Sequence, residues 1–203
     1  MAEPRRRRAA TEEKLTRLLD ATEEIMLREG YAAVSSRSVA VAVGIQAPLV
    51  HYYFPTIDDL FVSVLRRRSE PSVERMAAAL ASDEPLRAWW QLASDPRGTA
   101  LLAELLAAAN HRPALRDEMG KVAREIRRMQ VERLTTLLGE YGLDPDEFPP
   151  VLIAATMQGL AFAVVSDQMA GYDTAPEEAA AAMNRLVAAL EKRRAERPVR
   201  PQF

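Results

Sequence analysis

Residues 30–60 read GYAAVSSRSVAVAVGIQAPLVHYYFPTIDDL. Two short helix-favouring stretches, about 36–43 and 46–53, lie here on either side of Gly44. A glycine is a strong helix breaker because it has no side chain to restrict its backbone. Pro48 is compatible with the second stretch since it lies in the first turn, where its missing N–H has no helical partner. The pattern predicts two short helices joined by a tight glycine turn.

A longer helix precedes this pair. Apolar residues recur at three- and four-residue steps between Thr11 and Glu29, and Gly30 supplies a C-terminal stop. We expect Gly44 to make a turn too tight for a Cβ, with Ile45 filling the core beneath it. Such an arrangement is a helix-turn-helix, whose second helix enters the major groove of DNA. By spacing alone, a plain helical bundle with a short turn explains the pattern equally well.

The stretch closely resembles the TetR family of repressors, without a gap from Gly30 to Leu60. The matching residues are Gly30-Tyr31, Ser35-Ser36-Arg37, Val39-Ala40, Gly44-Ile45, His51-Tyr52-Tyr53-Phe54-Pro55-Thr56 and Asp59-Leu60. The resemblance implies an all-α protein of about nine helices. An N-terminal three-helix helix-turn-helix domain would be followed by a C-terminal helical ligand-binding and dimerisation domain.

Proline and glycine divide the rest of the chain into further helical stretches. The predicted helices are 57–80, 85–93, 98–110, 113–138, 145–169 and 176–194. The predicted organisation is a basic flexible arm at 1–10, the DNA-binding domain at 11–56, the ligand-binding and dimerisation domain at 57–194, and a flexible tail at 195–203.

Two sets of residues are candidates for contact with double-stranded DNA. Hydroxyls, a guanidinium and free N–H groups at a helix start can hold phosphate, although Ser35 serves equally well as a plain cap. The resemblance adds three further phosphate positions, of which His51 has a structural alternative. The phosphate candidates are Ser35, Ser36, Arg37, His51, Tyr53 and Thr56. The base-facing candidates are Gln46, Ala47, Leu49 and Tyr52, while Val50 and Phe54 are expected in the core.

Several residues depart from the family pattern. Gln46 replaces the usual Ser or Thr, Pro48 the usual Gly, and His51 the usual Tyr. Ile57 stands where a Lys usually helps to hold phosphate, so one backbone contact is removed. The run Arg5, Arg6, Arg7 and Arg8 could compensate as an arm on phosphates or in a minor groove. Its other interpretation is a solubilising terminus.

Sequence-specific binding needs two DNA-binding domains about 34 Å apart on the duplex. The protein is therefore expected to be a homodimer. The last two predicted helices offer apolar faces, which the resemblance places in a four-helix bundle between protomers; these faces could also be used up inside the monomer. The interface candidates are Leu160, Ala163, Val164, Ala182, Met183, Leu186, Val187 and Leu190.

The resemblance also implies a small ligand in the C-terminal part, expected to be mostly apolar because few charges are candidates for burial there. Aromatic and Met residues at helical spacing are more often plain core. The pocket candidates are Trp89, Trp90, Leu105, Asn110, His111, Met129, Met157, Gln158 and Phe162.

Composition bounds the remaining alternatives. With no Cys, only two His and a net charge of −2, the chain offers no thiolate site, no nucleophile–base pair and no metal cluster. We therefore expect no enzyme, no cofactor and no metal. The uncharged stretch 148–166 is interpreted as a buried helix, and the protein as soluble and cytoplasmic without a membrane partner. A DNA-bound regulator without an inducer, working constitutively, as an activator or through a protein partner, remains the second hypothesis.

Overall fold

The computed structural model describes residues 3–172 and 174–196, with the side chains of 10–172 and 176–196. This part of the chain forms nine α-helices, one short 3-10 helix and no strand, which confirms the all-α prediction. The helices are α1 Glu3–Glu29, α2 Ser36–Val43, α3 Ala47–Tyr53, α4 Ile57–Leu80, α5 Pro85–Ala93, α6 Pro96–Ala109, α7 Pro113–Tyr141, α8 Pro150–Met169 and α9 Thr174–Ala195; the 3-10 helix is Tyr31–Ala33.

Helix α1 begins at Glu3, eight residues before the predicted start at Thr11. The additional turns consist mainly of Arg and Ala, which favour helix without needing an apolar stripe, and Pro4 falls in the first turn. The backbone of the predicted arm is therefore helical from Glu3. The side chains of Arg5 to Arg8 lie outside the described residues.

Helix α7 continues through Gly139, where the sequence predicted a stop, and ends at Tyr141. An isolated helical glycine costs only about 1 kcal/mol relative to alanine, which burial of neighbouring side chains can offset. Leu138 and Tyr141, on either side of Gly139, are both buried. Gly142 has a φ of 69° and provides the actual stop.

The chain divides into two compact units. Unit 1 comprises Met1–Glu70 with Ala100–Lys121, and unit 2 comprises Pro71–Thr99 with Val122–Phe203. The core of unit 1 extends beyond the predicted boundary at residue 56. It combines Val39 and Val50 of the helix-turn-helix with buried side chains of α4, α6 and α7, which include Phe61, Val64, Leu101, Leu105 and Leu115.

The core of unit 2 is built on both tryptophans. Trp89 and Trp90 of α5 lie with buried residues of α4, α7, α8 and α9, including Met76, Leu134, Leu137, Met157, Val164, Met183 and Val187. The N-terminus of α5 is closed by Glu191 of α9, whose carboxylate accepts the backbone N–H groups of Leu86 at 2.8 Å and Arg87 at 3.2 Å. Unpaired N–H groups at a helix start carry partial positive charge, so a carboxylate is stabilising there.

Helix α8 falls in the stretch interpreted from the sequence as a buried helix, and in the single chain it is buried along one side only. One stripe, centred on Met157, Ala161 and Val164, enters the core, whereas Val151 and Leu152 are more than half exposed. Within the described ranges, α8 is also the one helix long and apolar enough to cross a membrane. A helix of a soluble protein meets the same criterion, so this is weak evidence for a membrane span.

Candidate nucleic-acid interface

The start of α2 is held by two serines. Ser35 Oγ accepts the backbone N–H of Ser38 at 3.0 Å, and the backbone N–H of Ser35 donates to Ser38 Oγ at 2.9 Å. This reciprocal pair is a capping box with Ser in the place of the usual Glu or Gln. Ser35 was predicted from the sequence and Ser38 was not, although their spacing of three residues was the available signal. Ser36 is half-buried beside them, and Arg37 is exposed.

Gly44 joins α2 to α3 with φ 72° and ψ 38°, the left-handed conformation. Its N–H and that of Ile45 return to the last carbonyls of α2, with Ile45 N donating to the Ala40 oxygen at 3.0 Å. A Cβ built on Gly44 would meet nothing within 4 Å. The prediction of a turn too tight for a Cβ is therefore wrong; glycine is favoured by the positive φ, which L side chains rarely adopt. Ile45 packs against the core, as predicted.

Helix α3 presents one side to solvent and the other to the core. Val50 and Phe54 are buried, as expected. Gln46, at the N-cap position, is exposed, and Tyr52 is 77% exposed. Pro48 and His51 are also exposed, whereas Ala47, Leu49 and Tyr53 are half-buried.

The exposed side chains of α3 are the ones that can contact DNA. Of the four base-facing candidates, Gln46 and Tyr52 have the freedom to reach a groove, whereas Ala47 packs against the core of unit 1. The ring of Tyr53 lies edge-on to that of Tyr52, with centroids 5.2 Å apart. Tyr53 also packs against the core, so only part of its side chain is available to a phosphate.

A small groove beside α3 carries two cationic side chains that were not predicted from the sequence. It is lined by Lys14, Arg17, Leu18, Val43, Ile45, Leu49 and Tyr53. Arg17 donates to the carbonyl of Val43, the last residue of α2, at 3.0 Å. A cation at a helix C-terminus is stabilising there, and both Lys14 and Arg17 remain exposed next to the recognition helix α3. Their spacing of three residues on α1 was the only sequence signal.

The start of α4 is capped by a second reciprocal pair. The backbone N–H and the hydroxyl of Thr56 both donate to Asp59 Oδ2, at 2.9 and 2.7 Å, and Asp59 N–H donates to Thr56 Oγ1 at 3.1 Å. The hydroxyl of Thr56 is thus already bonded, which reduces its value as a phosphate donor. Ile57 is half-buried and packs against the core, so this position supplies no cation.

Two carboxylates of α6 and α7 support the helix-turn-helix within unit 1. Glu104 Oε2 accepts the backbone N–H of Tyr31 at 2.6 Å, and Glu118 accepts Arg66 Nε at 2.7 Å. Hydrogen bonds from Arg66, followed by those from Lys121, lower the pKa of Glu118 to about 2. Glu118 therefore stays ionised throughout the neutral range and keeps its ion pair with Arg66 of α4.

The ligand-pocket candidates are divided between the two units. Leu105 is buried in the core of unit 1, and Asn110 and His111 are exposed at the end of α6. The other six are in unit 2, where Trp89, Trp90 and Met157 are buried and Met129, Gln158 and Phe162 are half-buried. The prediction grouped all nine by composition, which carries no information about which helices pack together.

The dimer candidates are likewise divided. Val164, Met183 and Val187 are at most 8% exposed and lie in the core of unit 2, so they are corrected from interface to core. Ala163, Ala182 and Leu186 are exposed, and Leu160 and Leu190 are half-buried. The apolar pattern of α9 could not distinguish the face that is buried inside the chain from the face beside it.

Within the described residues, no group of three or more His, Asp or Glu side chains is placed to hold a metal ion. The comparison with family models matches residues 18–64 to the bacterial regulatory proteins of the tetR family. No curated protein matches the chain in sequence.

Many solved structures share the fold. A transcriptional regulator from Saccharomonospora viridis in complex with choline is 18% identical, with a TM-score of 0.71 over 87% of this chain and 96% of that one. A TetR-family regulator from Mesorhizobium loti is 17% identical, with a TM-score of 0.65 over 88% and 95%. The regulator FadR from Bacillus subtilis in complex with stearoyl-CoA is 17% identical, with a TM-score of 0.65 over 86% and 96%.

Proposed function

We propose that the chain is a transcriptional regulator of the TetR family, whose model matches residues 18–64, and that it is a ligand-responsive repressor that binds a palindromic operator as a homodimer. The observation that carries the proposal is the exposed side of α3 behind the Gly44 turn. Gln46, Pro48, His51 and Tyr52 project from a helix whose other side is anchored in the core.

Roles within the proposed interface follow from exposure. Gln46 presents an amide that can pair with adenine, worth about 1–3 kcal/mol of discrimination. Arg37 and His51 are free to contact phosphates, and Lys14 and Arg17 add positive charge beside α3. Ser35 and Thr56 are explained first by capping, because the backbone N–H and the hydroxyl of each already take part in a capping pair. A phosphate contact at either residue would have to compete with those bonds.

A second copy of the chain is proposed to cover the exposed stripes of α8 and α9. Three large apolar side chains on these stripes are more than half exposed: Val151 (55%), Leu152 (59%) and Leu186 (55%). Burying them against a second protomer would remove apolar surface from water and so favour association. Gly159 and Ala163, four residues apart and both exposed, allow close approach of another backbone. A Cβ at Gly159 would meet nothing within 4 Å in this chain, so the space is open to a partner protomer.

The DNA-binding part of the proposal is tested by selecting sites from a randomised pool of double-stranded DNA. We expect an inverted repeat whose half-sites are separated by one helical turn, about 10 base pairs, or a multiple of it. Enrichment of no sequence, with equal affinity for every duplex at each salt concentration, would refute the proposal.

The ligand-responsive part is supported by two neighbours of the same fold, which are in complex with choline and with stearoyl-CoA. A compound library is tested for molecules that raise the unfolding temperature, and each hit is then tested on the protein–operator complex. An inducer stabilises the protein and weakens operator binding, by about 1–3 kcal/mol of coupling. If every binder leaves operator affinity unchanged, the second hypothesis, a regulator without an inducer, is favoured.

A further inference from the structure

Several buried polar atoms of unit 2 have no hydrogen-bond partner. Among the described residues they are Arg87 Nε, Trp89 Nε1, Ser94 Oγ and Arg127 Nη1, all in unit 2. Arg87 Nε lies 2.9 Å from Glu84 in an ion pair, which leaves three atoms without a partner. Buried polar atoms are nearly always paired, because leaving one unpaired costs about 1–3 kcal/mol. Three in one small unit therefore require an explanation.

Arg127 is the most costly of the three because it is charged. It is half-buried on α7, its Nη1 is inaccessible, and none of the ion pairs found among the described side chains includes it. The next residue shows the contrast: Arg128 is 69% exposed and forms an ion pair with Glu132 at 3.1 Å. A guanidinium with a buried, unpaired nitrogen lacks a counter-charge that a carboxylate of the chain could have supplied.

By helical spacing, Arg127 shares a face of α7 with two buried residues. Gln130 lies one turn further along and is only 2% exposed, and Leu134 follows one turn later in the same core as Trp89. This side of α7 therefore combines polar groups with the tryptophan- and methionine-rich core. The indole of Trp89 is fully buried, with 0% exposure.

The chemistry of these groups restricts what could satisfy them. An indole N–H and a guanidinium only donate hydrogen bonds, so their missing partner must be an acceptor. A negative charge would also neutralise Arg127. One guanidinium balances one charge, and an apolar surrounding penalises a dianion more than a monoanion, which favours a carboxylate over a phosphate.

We propose that unit 2 binds an amphipathic carboxylate, whose carboxylate oxygens accept hydrogen bonds from Arg127 and Trp89 and whose apolar body lies among the side chains of its core. This inference rests on the proposed ligand-responsive function and assigns the class of ligand. It adds a carboxylate to the small, mostly apolar ligand expected from the sequence.

The test compares three probes with the same ten-carbon chain: decanoate, decanol and decyltrimethylammonium, each below its micelle concentration. Their affinities for the full chain are measured by calorimetry. We expect decanoate to bind at least about tenfold more tightly than decanol, because a charged hydrogen bond contributes more than a neutral one. The ammonium probe should bind most weakly.

Two variants locate the carboxylate. Arg127→Met should weaken decanoate binding about 10- to 100-fold and leave decanol binding unchanged. Because no ion pair is lost, the unfolding temperature of the free variant should stay the same or rise, which a purely structural arginine would not allow. Trp89→Phe keeps an aromatic ring but removes the N–H together with part of the bicyclic indole, so decanol binding to the same variant measures the lost packing, and decanoate binding should weaken more than decanol binding. Arg128→Met is the matched control and should change neither affinity.

Three results would overturn the inference: equal binding of decanoate and decanol, binding of none of the three probes, or equal effects of Arg127→Met and Arg128→Met. Site selection on DNA without any probe is done in parallel. A protein that selects an operator and does not prefer decanoate contradicts only the ligand class. One that prefers decanoate and selects no DNA sequence contradicts only the proposed function.

Discussion

At the scale of single residues, Gly44 shows how a correct identification can rest on the wrong reason. Spacing identified the glycine turn, and the family resemblance agreed, but the expected crowding around its Cα is absent. The positive φ of 72° is the actual requirement. Side-chain crowding and backbone conformation predict different tolerated substitutions, so the two reasons can be separated.

The variants Gly44→Ala and Gly44→Asn distinguish side-chain crowding from backbone conformation as the reason for glycine. Alanine in the left-handed conformation costs about 1–2 kcal/mol, whereas asparagine adopts it more readily. We expect Gly44→Ala to lower the free energy of unfolding by about that amount, and the larger Gly44→Asn to lower it less, in a denaturant titration. Should the destabilisation instead increase with side-chain size, crowding would be the correct reason.

Arg37 is predicted to contact phosphate and not bases. Arg37→Ala should weaken binding to every DNA sequence alike and reduce the slope of log affinity against log salt by about 1 for each protomer. Arg75→Ala, an exposed arginine of unit 2, is the control and should leave the slope unchanged. A change in preference at a single base pair upon Arg37→Ala would contradict the assignment.

At the scale of helices, the predicted and observed helix bounds agree where capping residues, prolines or glycines mark the end of a helix. The capping serine and threonine, the prolines in first turns and the glycine stop at Gly44 placed α2, α4 and α5 at their predicted bounds. Disagreement occurs where packing outweighs a weak local preference, as at Gly139. The start of α5 also depends on a distant residue: Glu191, about one hundred positions later, caps it.

The buried pair formed by Tyr141 and Glu191 gives a prediction for alkaline pH. The phenol donates to Glu191 Oε2 at 2.8 Å. Burial and then the hydrogen bond to this carboxylate raise the pKa of Tyr141 far above its ordinary value of 10.0. The folded state keeps the phenolic proton at a pH where the unfolded chain releases it. The stabilisation is therefore complete below about pH 10 and decreases as the pH rises above that value.

Tyr141→Phe tests this pair. The variant should lose about 1.5–3 kcal/mol of stability at neutral pH, because a hydrogen bond to a charged group is removed. Part of the steepness with which wild-type stability falls above pH 10 should disappear with it. Exposed Tyr172→Phe is the control. Equal pH profiles for the Tyr141 variant and the wild type would show that Tyr141 does not contribute to the alkaline transition.

At the scale of the whole molecule, assembly is predicted to control DNA affinity. Leu186→Glu places a carboxylate on the exposed stripe of α9, where two copies would meet, and should weaken dimerisation by about 2 kcal/mol or more. Sedimentation should show more monomer, and operator affinity should fall at low protein concentration. Ala77→Glu, also exposed and in unit 2, should affect neither. A dimer that is unaffected by Leu186→Glu would exclude this stripe as the interface.

The sequence by itself determined the helix-turn-helix, most helix bounds and the family resemblance, because caps, prolines, glycines and apolar periodicity act within a few residues of chain. Tertiary structure alone decided which apolar stripe is buried inside unit 2, that Leu105 belongs to unit 1, and that Nη1 of Arg127 is buried without a partner. Those properties depend on contacts between residues far apart in sequence. A local pattern identifies a side chain suited to burial, but packing determines whether it meets the core, a second protomer or a ligand.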